Sequence, residues 1–123
     1  MAKIDIYKTP IPLISYCLVT SPQALAHAEK IFGLPRVEFC AVGSEAMTQF
    51  FDSGVCIVHL ARVDERDDIQ TYGLLVHEAV HIYQEMIAKM REEDPSIEFE
   101  AYSIQKIAVD LFTTYNNKIK KDS

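Results

Sequence analysis

Residues 72–90 constrain this chain more than any other stretch. Laid out at about 100° per residue, Tyr72, Leu75, Val76, Ala79, Val80, Ile82, Tyr83, Met86, Ile87 and Met90 share one broad apolar stripe. A helix with a stripe this wide is stable only against another layer, so the rest of the chain must supply one. A second helical pattern follows near residues 95–118, with Asp94 as its expected cap and Pro95 as its opening residue. The acidic string "VDERDD" at 63–68 precedes both helices.

Upstream the period changes to that of strands. Lys3–Tyr7, Leu13–Val19, Val37–Val42, Ala46–Phe51 and Val55–Leu60 read as extended segments. Between the second and third lies "SPQALAHAEKIFG", where Ser21 caps, Pro22 fits the first helical position and Gly33 stops a helix. "DSG" at 52–54 reads as a hairpin turn. The expected fold is α+β: a small twisted sheet with one early helix, then two long helices, in one domain over residues 1–123.

Composition excludes several classes. With 49% hydrophobic and 24% charged residues, the chain has the makings of a packed core. It has no apolar run near the ~20 residues of a membrane span, and "MAKIDIYKTP" has no apolar signal region, so neither membrane nor secretion is expected. Cys17, Cys40 and Cys56 are odd in number, lie in apolar stretches and form no CxxC, which suits reduced thiols in a cytoplasmic protein. The net charge of −6 argues against nucleic acid. The one basic cluster, "NNKIKK", reads as a solvated helix end.

Against this background "LLVHEAVHIYQE" (74–85) stands out. His77 and His81 lie off the apolar stripe, one helical turn apart on one face, so two imidazoles can converge on one cation. Glu78 projects to the flank of the pair, where a carboxylate can serve as general base toward a metal-activated water. Gly73, one turn earlier, keeps that face uncrowded. A catalytic zinc site usually has three protein ligands. The best source of the third is Glu100 in "SIEFEAYSIQKIAVDLF", expected at the edge of the buried stripe of the second long helix. His59 is read as a strand residue and a candidate substrate contact beside the cleft.

"HEAVH" (77–81) followed by "EFEAY" (98–102) resembles the gluzincin branch of the zincin metallopeptidases, most of all its minimal single-domain members and short phage-type zincin-like proteins. The resemblance implies a zincin-like fold and a peptide or protein substrate. It also implies Zn2+ held by His77, His81 and Glu100, with Glu78 as general base and proton shuttle. It further implies an edge strand that pairs with extended substrate, for which Val55–Leu60 is the expected candidate. Where larger relatives carry an acidic residue one turn after the glutamate ligand, this chain has Ile104. Tyr83, Tyr102 and Tyr72 are the candidate oxyanion contacts. Three readings stay open at this level: a zinc-dependent peptidase, a catalytically weak or inactive module of the same fold that binds a partner protein, or an ordinary helix with two surface histidines and no metal.

Overall fold

The computed structural model describes residues 4–40 and 43–122, with side chains to residue 117. Four strands, β1 (Tyr7–Lys8), β2 (Ser15–Val19), β3 (Ala46–Phe51) and β4 (Val55–Leu60), form one mixed sheet in the order β1-β2-β4-β3. β2 and β4 are parallel; β1 and β3 run antiparallel to their neighbours. Three α-helices, α1 (Pro22–Phe32), α2 (Asp68–Met90) and α3 (Ile97–Asp122), and a short 3-10 turn at Val63–Glu65 accompany the sheet. The architecture is α+β.

The central strands explain the layering. Every residue of β4 and four of five in β2 are buried, as expected of strands covered on both faces. Ile14, Tyr16, Leu18, Cys56, Val58 and Leu60 pack against Leu75, Ala79, Ile82 and Met86 of α2 and Ile107, Leu111 and Tyr115 of α3. On the opposite face, Cys17, Val19, Val55 and Ile57 pack against Ala24, Leu25 and Ala28 of α1. Polar ties hold the helices in register: Tyr16 donates to Asp110 Oδ2 (2.5 Å), and Tyr115 donates to Asp68 Oδ1 (2.7 Å). No described helix is long and apolar enough to cross a membrane.

α1 forms as expected, with Ser21 accepting from the Ala24 N–H and Gly33 ending the helix at φ +67°. Gly54 closes the β3–β4 hairpin at φ +83°, and a Cβ there would meet Leu13 O at 3.0 Å. Three expectations change. Over the described part of Val37–Val42 there is no strand; residues 41–42 lie outside the described residues. The donors of this segment are taken by side chains: Val37 N–H by Glu29 Oε2 (2.7 Å) and Cys40 N–H by His59 Nδ1 (3.0 Å). Cys40 itself sits at φ +46°, which breaks an extended run. The first expected strand shortens to Tyr7–Lys8, its start at Lys3 lying outside the described residues. Finally, Ser96 rather than Asp94 caps α3, its Oγ accepting from the Phe99 N–H (3.1 Å).

Candidate metal centre

α2 begins where Asp67 accepts from the Gln70 N–H (2.8 Å), and it runs 23 residues without a proline. Its apolar side turns to the sheet and α3, which leaves His77 and His81 exposed on the outside. The two Nε2 atoms converge to 3.2 Å, with the rings edge-to-face. A tetrahedral zinc with Zn–N bonds of about 2.0–2.1 Å would hold two imidazole nitrogens roughly 3.3–3.4 Å apart. That spacing is close to the observed distance, which here is a hydrogen bond from one ring to the other.

His81 Nδ1 lies 3.2 Å from Gln84 Oε1. With that oxygen as acceptor, Nδ1 carries the proton and Nε2 presents its lone pair, the tautomer a metal ligand needs.

Glu78 takes a different direction. It is only 5% exposed, wedged between α2 and β3, and its Oε1 accepts from the Thr48 hydroxyl at 2.8 Å. A cleft of about 700 Å³ opens beside it, lined by Ala46, Arg66, Gln70, Gly73, His77 and Glu78 among others. A Cβ at Gly73 would meet nothing within 4 Å, in keeping with an uncrowded face. Past the histidines, a smaller hollow of about 240 Å³ lies between Phe50, His81, Gln84 and Glu85. The pair thus stands between two depressions along the α2–β3 seam.

The remaining sequence-derived candidates divide. Glu100 is exposed in the first turn of α3, not at the edge of the buried stripe, and Ile97 beside it is 84% exposed. This turn projects past the layer that covers the later turns of α3, whose buried residues begin at Ser103. Among the described residues no three or more His, Cys, Asp or Glu side chains stand together as a ready metal cage.

Tyr83 is buried, its ring beside Phe99 and its hydroxyl without a hydrogen-bond partner among the described residues. Burial, then the carboxylates of Glu100 and Glu92, push that hydroxyl's pKa up. Tyr102 is exposed on α3, and Tyr72 donates to Asn116 Oδ1 (2.7 Å). None of the three tyrosines lines either depression beside the histidines.

His59 is a correction. It is fully buried, it stacks on Phe39, and it clips Cys40, so it cannot contact a substrate in the cleft. Burial holds its pKa down at about 4. The edge strand is a second correction: β4 is internal, and β3 is the edge strand beside α2. Two cleft residues, Arg66 and Glu45, and Thr48, which holds Glu78, were not singled out by the sequence.

No protein-family model matches the chain, and neither the curated proteins nor the solved structures contain a significant match to it.

Proposed function

We propose that this chain is a zinc-dependent peptidase of zincin-like fold, with His77, His81 and Glu100 as metal ligands and Glu78 as general base. The observation that carries this reading is the 3.2 Å convergence of the two Nε2 atoms, with a buried, oriented carboxylate on their flank. Glu100 enters from the gluzincin resemblance alone: its charge acts on the Tyr83 hydroxyl, which belongs to the buried side of α2, roughly 200° around the helix from His81.

Zinc, when bound, supplies Lewis acidity toward water and the peptide carbonyl. Glu78 accepts a proton from the attacking water as the new C–O bond forms. Its Oε1 already accepts from Thr48, so the proton goes to Oε2. Glu78 then returns it to the amine nitrogen as the C–N bond breaks. Open backbone groups of the edge strand β3 suit an extended substrate running along the seam. The six residues of β3 span roughly 20 Å at ~3.3 Å each, enough for a peptide of similar length. Three unpaired, buried cysteines fit a reducing, cytoplasmic setting.

One observation favours the second reading, a partner-binding module with weak or no catalysis: Glu100 does not already stand in a three-donor group with the histidines. Metal content of tag-free protein separates the readings. About one zinc per chain in the wild type, lost or much weakened in Glu100→Ala, supports the three-ligand site. Absence of zinc even after zinc addition rejects it. Glu78→Gln should keep the zinc and lose peptide cleavage by about 10²-fold or more. A zinc-loaded wild type with no cleavage, and partner binding intact in Glu78→Gln, would leave only the module.

A further inference from the structure

The cleft beside Glu78 contains a cation that the proposed chemistry leaves unused. The Arg66 side chain is only 7% exposed. Its Nη2 donates to Ala61 O and, at 3.5 Å, to Glu45 O, while Nη1 donates to Thr71 Oγ1 at 3.4 Å. Nε makes no hydrogen bond among the described residues. It faces Glu45 Oε1 at 3.6 Å, and Glu45, about half exposed (52%), is shared with Arg62 Nη2 at 3.5 Å.

A guanidinium pinned by backbone carbonyls thus turns a buried N–H toward a loosely held, solvent-facing carboxylate. A well-seated carboxylate would approach to about 2.7–2.9 Å and make paired bonds. A buried, uncommitted Nε–H carries a desolvation cost that a better acceptor would relieve.

We propose that Arg66 is a carboxylate anchor: the Gln70 end of the cleft takes a carboxylate of a peptide ligand, which displaces Glu45 from Nε. Thr71, which Arg66 touches, precedes His77 by six residues, about 9 Å along the axis at ~1.5 Å per residue. At ~3.3 Å per extended residue, the carboxylate stands two or three residues from the bond held at the histidines. Its source is either the C-terminus of a short peptide or an Asp or Glu side chain. The position relative to the cleaved bond rests on the peptidase reading; the carboxylate binding does not.

The test uses three acetylated tetrapeptides. The first is tetra-alanine with a free C-terminal carboxylate, and the second is the same peptide as its C-terminal amide. The third is also an amide, with aspartate in place of the last alanine. Each is titrated into full-length protein labelled with ¹⁵N-arginine. The Arg66 Nε–H signal is followed, assigned by its loss in Arg66→Lys.

At least one carboxylate peptide should bind tenfold or more tighter than the tetra-alanine amide and move the Arg66 signal. The stronger of the two identifies the carboxylate's source. Glu45→Gln, which removes the internal competitor, should tighten that peptide several-fold further, and Arg66→Lys should erase most of the preference. The anchor is overturned if carboxylate and amide peptides behave alike, or none binds, in both wild type and Glu45→Gln with the Nε–H signal unmoved. Carboxylate preference without cleavage in zinc would sink the peptidase reading and leave the anchor standing. Cleavage without preference would do the reverse.

Discussion

Acidification should expose the cost of keeping His59 neutral. Burial holds its pKa at about 4 against an ordinary value near 6.5 in the unfolded chain, and its Nδ1 lone pair accepts from Cys40 N–H. Between those values the unfolded chain binds a proton that the folded chain refuses, so stability falls as pH falls. His59's contribution is whole above about pH 6.5, declines through the window, and is gone below about 4. At 1.36 kcal/mol per pK unit the full loss is about 3 kcal/mol, of which roughly 2 kcal/mol is gone by pH 5.

The assay is urea unfolding from pH 7.5 to 5.0, in chelator so that His77 and His81 carry no metal. Wild type is compared with His59→Phe, which keeps a ring against Phe39. The variant should be less stable at pH 7.5 by about 1–3 kcal/mol, because the Cys40 N–H loses its acceptor. Its stability should also fall less steeply with acid, since the exposed carboxylates common to both proteins cancel in the difference. Equal pH slopes for the two proteins would refute the argument, because a His59 that ionises alike folded and unfolded adds no slope.

Three further outcomes follow from the same geometry. Gly73→Ala should raise stability by about 0.5–1 kcal/mol in thermal or urea unfolding, because the new Cβ meets open space inside a helix. Thr48→Val removes the hydroxyl that orients Glu78. It should cost about 1–3 kcal/mol of stability, and where cleavage is measurable it should lower kcat more than it raises KM. Ile82→Ala opens a cavity in the α2 core and should cost about 2–5 kcal/mol, read as a lower urea midpoint at unchanged m.

What the sequence made legible follows from where the deciding interactions lie. α1, β2, β3, β4 and the two long helices carry their own signals in period and caps, and they form within a few residues of where those signals put them. The segment after Arg36 has a strand-like composition, but its backbone donors are claimed by Glu29 and His59, contacts made 8 and 19 residues away.

Strand order was hidden for a related reason. Both "AMTQFF" and "VCIVHL" read as strands, and only pairing with β2 makes the second internal. Because all of β4 is buried, alternation could not tell which layer His59 faces. The histidine pair and Glu78 were readable because one helix sets their relation. Arg66 was not, because the groups that give it its place in the cleft include the carbonyl and carboxylate of Glu45, 21 residues away.

The exposed turn from His77 to His81 has a practical consequence at the bench. Two imidazoles one helical turn apart form a bidentate grip for any borderline metal, including nickel or cobalt immobilised on chromatography resin. The untagged protein should therefore be retained on such a column and elute at low imidazole, and His81→Ala should flow through. Metal leached from the resin would occupy the very pair whose native ion is in question, so preparations for metal analysis are best made by ion exchange.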